Sequence, residues 1–293
     1  MPSPSPILNP PAPAAVPDLA SLRAELDRLD DALHDTLMRR AEVVMQVAAL
    51  RVKGPVALRP GREAAIIRRL LARHAGGLPA FGIVRIWREL LSTTTAQQRP
   101  LVVCVCEAAG DPAYMALARE HFGALTPMRT YLEPSYAIGQ VRDGLATVAV
   151  LPMPQQGDAP AAAWWTALLR PDGPRIYIVA RLPFWAPRPE GSPAVQALVV
   201  SAAAPDPSGR DRSLLGLEMA PDADPAWLGA ALSDAGFQVG PVVLQHASGT
   251  QGACALAEVD GFVADDDPRL DALAASGQPV LLGAYAVPVG GEP

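Results

Sequence analysis

Leu19, Leu22, Leu26, Leu29, Leu33 and Leu37 fall three and four residues apart, and Val44, Val47 and Leu50 carry the stripe onward. This spacing predicts one amphipathic helix of about nine turns, capped by Asp18 and stopped by Gly54-Pro55. A second helix is predicted from Arg62 to His74, with Ile66, Ile67, Leu70 and Leu71 inward and Gly76-Gly77 behind it. A third runs from near Pro79 to Gln98 through Ile83, Ile86, Trp87, Leu90 and Leu91, and Arg99-Pro100 closes it. A helix as long as the first cannot bury its stripe against itself, so partner helices are required.

After Pro100 the pattern changes. The apolar runs "LVVCVC", "ATVAVLPM" and "RIYIVARL" read as strands, and they alternate with helical stretches such as "PAYMALAREHF". That alternation predicts an α/β layer with parallel pairing. A Pro-rich joint follows at residues 183–193, and from residue 213 the order is β-α-β-β-α-β, that of a ferredoxin-like module. The expected fold is therefore multidomain: a leader over 1–17, an all-α three-helix unit over 18–98 and an α/β lobe over 101–182. A joint with a connecting strand over 183–210 and a ferredoxin-like (βαββαβ) domain over 211–288 complete it.

Composition narrows the function. The formal net charge is -6 over 293 residues, which argues against general nucleic-acid binding. "MPSPSPILNPPAPAAVP" has neither a basic start nor a continuous apolar run, so it reads as a disordered leader and not a signal peptide. No segment has the roughly 18 uninterrupted apolar residues of a membrane span. Cys104, Cys106 and Cys254 make neither a metal-ligand set nor a disulfide framework, and buried thiols fit a reducing compartment. A cytoplasmic protein without metal or membrane partner is expected.

Candidate chemistry lies in the helical unit. Arg40 and Arg51 are 11 residues apart, close to three full turns, so they share a helix face about 16 Å apart along the axis. Two long cationic side chains so placed can hold a small dianion between them. Arg23 lies 17 residues before Arg40 and is out of phase by about 100°, so it addresses a different pocket, such as that of a second subunit. Thr94 and Gln98 share a face of the third helix, and Arg62-Glu63 opens the second. Taken singly, such residues read as solvated helix surface. In order, they form a constellation.

In "LRAELDRLDDALHDTLMRRAEVVMQVAALR", "REAAIIRRL" and "IWRELLSTTTAQQ", the unit resembles the all-helical chorismate mutase domain over residues 18–98. The resemblance implies conversion of chorismate to prephenate in aromatic amino-acid biosynthesis, with no cofactor. It implies that Arg40 grips a substrate carboxylate, that Arg23 does so across a homodimer interface, and that Arg51 and Gln98 donate to the ether oxygen. Arg51 replaces the family's usual lysine and Thr94 its serine. Glu63 would bind the ring hydroxyl beside Arg62. Arg59 stands where some members carry an aspartate, and an arginine accepts no hydrogen bond. It either adds a carboxylate contact or faces solvent, and Arg59→Asp is the change expected to improve substrate affinity. Arg68 and Arg69 read as solvated helix face.

Residues 101 to about 290 resemble a shortened, degenerate prephenate dehydratase followed by an ACT-type regulatory domain. The order of elements, "ATVAVLP" and "LLGAYAVPV" carry this resemblance. The dehydratase motifs are replaced, by "AAGDPAYMA", "MPQQG" and Gln196-Ala197-Leu198, so no dehydratase activity is expected. Two alternatives to a mutase stay open: a bifunctional mutase/dehydratase, and a non-catalytic small-molecule sensor with a helical dimerisation module.

Overall fold

Asp18 caps the first helix, α1 (Leu19–Ala49), and its side chain accepts from the Ser21 amide at 2.7 Å. The capped geometry, β-region at Asp18 and helical thereafter, is the one the sequence predicts. The computed structural model of the protein describes residues 18–50, 57–170, 173–219, 225–246, 252–273 and 279–290. These residues group into two units divided after Leu50. The predicted leader, Arg51 and the Gly54-Pro55 stop lie outside the described residues. In α1 no residue is buried, and Leu19, Leu26, Leu29 and Leu33 are each more than half exposed.

In the second unit, α2 (Pro60–Ala72) starts with Pro60 in the first turn, where its missing N–H costs nothing. Helix α3 (Ala80–Gln98) follows. Their facing sides bury Ala64, Ile67, Val84 and Leu91 with Phe184 and Ala286, which come from far along the chain. The buried stripe of α3 is Val84, Arg88, Leu91 and Thr95, whereas Ile86, read as inward, is half exposed. A charged residue therefore occupies the core-facing register.

The strands are β1 (Val103–Cys106), β2 (Met128–Tyr131), β3 (Val148–Pro152), β4 (Tyr177–Leu182), β5 (Ala197–Ser201), β6 (Asp211–Met219), β7 (Val239–His246), β8 (Ala253–Asp260) and β9 (Val280–Ala286). They form one nine-stranded sheet in the order β2-β1-β3-β5-β4-β9-β6-β8-β7. Helices α4 (Ala113–Phe122) and α5 (Pro134–Arg142) join β1, β2 and β3, which pair in parallel. The next pairings are antiparallel. Strand β5 inserts antiparallel between β3 and β4, so those two are not neighbours. The stretch "AAAWWTALL" forms a short 3-10 turn, Trp164–Leu168, which buries Trp165.

The last four strands, with α6 (Pro225–Asp234) and α7 (Pro268–Ala272), run βαββαβ and lie antiparallel in the order β9-β6-β8-β7, as a ferredoxin-like module does. The module is stitched to the first strands where β4 meets β9 in parallel at Ile178 and Gly283. A buried polar chain crosses this seam. Arg181 donates to the Tyr285 hydroxyl at 3.2 Å, Tyr285 donates to Glu258, and Arg212 pairs with Glu258. Burial, then the Glu258 charge, pushes the Tyr285 phenol above its usual value, so it stays a donor.

Candidate functional site

The start of α2 is held by a residue about 145 positions away. Asp206 Oδ1 accepts from the Gly61 amide at 3.1 Å, and Oδ2 accepts from the Arg62 amide at 3.0 Å. These are orphan donors of the first helical turn, and a carboxylate there also suits the helix dipole. Arg59 Nε donates to the same Oδ2 at 3.1 Å. Gly61 is needed for this approach, because a Cβ at that position would lie 2.0 Å from the Asp206 carbonyl oxygen. Arg59 thus has a protein carboxylate as its partner.

One turn in, Arg62 is exposed and Glu63 is buried. Arg88 Nη1 of α3 donates to Glu63 Oε2 at 3.1 Å. The Arg88 guanidinium lies 4.7 Å from the Phe184 ring centroid, a cation–π contact. Burial pulls the Arg88 pKa down to about 10, opposed by the Glu63 charge. It therefore remains a cation at neutral pH. Arg68 is not a solvated side chain. It donates to the Ser208 hydroxyl at 2.8 Å and to the Arg210 carbonyl at 2.9 Å, tying α2 to the chain entering β6.

At the end of α3, Thr94 is buried and its hydroxyl donates to the Leu90 carbonyl at 2.8 Å. Gln98 Nε2 donates to the Thr94 carbonyl at 2.9 Å. Their common face, expected from the i, i+4 spacing, is present. On α1, Arg23 and Arg40 occupy different phases of one unbroken helix. The structure brings Arg59, Arg62 and Glu63 together at the start of α2, and Thr94 and Gln98 together at the end of α3. Arg88 and Asp206 were missed by sequence reasoning. Arg88 carries one signal, its place between Val84 and Leu91 on an apolar stripe. Asp206 carries none, because its partner is remote.

A cavity of about 340 Å³ sits at the carboxyl ends of β1 and β3. Ala109, Tyr114, Glu133, Gln155 and Asp158 line it. It gathers "AAGDPAYMA" and "MPQQG", the two segments that replace dehydratase motifs. Open sheets bind ligands at such strand ends.

Residues 22–99 match the family model described as chorismate mutase type II, which bears out the resemblance seen in the helical unit. The chain is 29% identical over 144 residues to a bifunctional chorismate mutase/prephenate dehydratase of Pseudomonas aeruginosa, covering 46% of this chain and 38% of that protein. It is 33% identical over 101 residues to a protein of the same description from Neisseria gonorrhoeae, covering 34% and 27%. The chain thus spans less than two fifths of these relatives. Prephenate dehydratase from Streptococcus mutans superposes with a TM-score of 0.46 at 14% identity, over 63% of this chain and 97% of that one. Among the described residues no helix is long and apolar enough to cross a membrane.

Proposed function

We propose that the chain is a chorismate mutase, converting chorismate to prephenate. The observation that carries this reading is the family match over residues 22–99, which contains all eight nominated positions. The reaction is one pericyclic step, so the protein has two tasks. It must hold the folded conformer, and it must stabilise negative charge on the ether oxygen as the C–O bond breaks. Arginines and an amide donor do both without a nucleophile, a proton transfer or a cofactor. Arg40 and, from a second copy, Arg23 take the substrate carboxylates. Arg51 and Gln98 serve the ether oxygen, and Thr94 and Arg62 line the pocket. Glu63 takes the ring hydroxyl through a carboxylate that Arg88 holds in place. Arg59, paired with Asp206, supports the start of α2. The homodimer is supported by the exposed leucines of α1, a stripe that a second copy would cover.

The test is loss of chorismate absorbance with the purified full chain, wild type beside Arg40→Ala and Gln98→Ala. Turnover lost in both variants is expected. No turnover in the wild type, with no binding of a transition-state analogue, sinks the reading. A bifunctional mutase/dehydratase is a second reading, favoured by the cavity at the β1 and β3 ends. Formation of phenylpyruvate from prephenate decides it.

A further inference from the structure

Next to Arg88, α3, α4 and the turn after β4 enclose a cavity of about 190 Å³. Val84, Leu117 and Phe184 give it an apolar wall, and all three are buried. Four nitrogen-bearing side chains line it as well: Arg85, Arg88, His121 and Trp185. Arg88 is 4% exposed, and among the described residues its one hydrogen bond runs from Nη1 to Glu63. A guanidinium has five N–H groups, so donors remain. The Trp185 indole Nε1 is buried and has no hydrogen-bond partner among the described residues. Leaving such a donor unmade in the interior carries the full desolvation penalty. His121 is buried, and burial followed by the Arg88 charge holds its pKa well below the ordinary value, so its ring is neutral at pH 7.

The charges select the ligand's sign. Both acidic groups at the site are already in ion pairs, Glu63 with Arg88 and Glu120 with Arg188. Arg85, exposed on the rim, adds one cation. An anion is therefore favoured. With Arg88 already in an ion pair with Glu63, a monoanion suits the site better than a dianion. The volume selects the size, because a dry apolar cavity of roughly 150 Å³ holds benzene. About 190 Å³ suits one ring with a small charged group.

We propose that this cavity binds a small aromatic monocarboxylate. The ring lies against Val84, Leu117 and Phe184, and the carboxylate takes Arg88 N–H groups and the Trp185 indole N–H. The assignment does not depend on the mutase reading, and its test uses no chorismate.

The probe is benzoate, titrated into the full chain at neutral pH and followed by calorimetry, with benzyl alcohol as the neutral match. Saturable one-site binding of benzoate is expected, with benzyl alcohol at least tenfold weaker. Trp185→Phe keeps the bulk and removes the N–H, and should weaken benzoate roughly tenfold while leaving the melting temperature little changed. It leaves the Glu63–Arg88 pair intact, so the test survives if Arg88 variants fail to fold. Absence of saturable binding would overturn the proposal. So would equal affinity for the alcohol, or benzoate affinity unchanged in Trp185→Phe.

Discussion

Arg88 Nη1 donates to Glu63 Oε2 at 3.1 Å while the same guanidinium lies against the Phe184 ring, so one buried cation joins α2, α3 and the turn after β4. Removing it takes an ion-pair partner from the buried Glu63 carboxylate. Arg88→Ala is expected to cost about 3–5 kcal/mol, and Arg88→Met with Glu63→Gln should recover much of that, because both charges of the buried pair are then removed together. Urea unfolding of the single and double variants checks this. A loss below about 1 kcal/mol for Arg88→Ala would show that the pair is not buried in solution.

Asp206 both caps α2 and pairs with Arg59. Asp206→Ala should cost about 1–2 kcal/mol through the lost cap. Arg59→Ala should cost less than about 1 kcal/mol, since that side chain is partly exposed. Sequence reasoning makes Arg59→Asp a route to tighter substrate binding. With Asp206 opposite, it instead sets two carboxylates together. A lower melting temperature without improved chorismate affinity is the expected result, and a variant at least as stable as wild type would count against the contact.

Gly283 sits at φ +143, and a Cβ there would lie 2.0 Å from the Ile178 carbonyl oxygen and 2.5 Å from its nitrogen. Both atoms are backbone of β4, so neither yields easily. Gly283→Ala should cost about 3 kcal/mol or more, since overpacking and an unsuitable φ add. Gly139 in α5 has open space around it, and Gly139→Ala should gain up to about 1 kcal/mol. Thermal melts of the two variants should therefore move in opposite directions.

His121 gives stability a pH dependence. Its folded pKa lies below the ordinary value of about 6.5 because burial and Arg88 disfavour the imidazolium. Above about pH 6.5 the ring is neutral whether the chain is folded or not. As pH falls below that, the unfolded chain takes up a proton that the folded chain refuses, so stability drops toward the folded pKa. Denaturant midpoints measured between pH 7 and 5 should fall in the wild type and fall less in His121→Asn. Parallel slopes would remove His121 from the account.

Much of the fold is legible in the sequence because much of it is local. The leucine spacing and Asp18 define α1, and the alternation after residue 211 yields the βαββαβ order. The errors lie where the determinant is remote. Strand β2 is four residues at a sheet edge, with little apolar signal of its own. Strand β5 looks like a linker strand until its neighbours β3 and β4 are known. Arg88 scores as polar in any periodicity count, although it holds a core register. Arg68 looks solvated because its acceptors lie some 140 residues on or further. The pair Thr94/Gln98 is readable as neighbours on a face, and Arg62-Glu63 as the opening of a helix. What each side chain touches is not.

The family match closes at residue 99, yet the bonds that secure its second helix come from Asp206, Ser208 and Arg210, and its buried cation rests on Phe184. Cutting the gene at the Arg99-Pro100 junction would therefore separate α2 from its own cap. The two parts are therefore not interchangeable cassettes. A graft of this helical segment onto another protein would need the 206–210 stretch to travel with it, and a change at Asp206 would be inherited as a change in the helices.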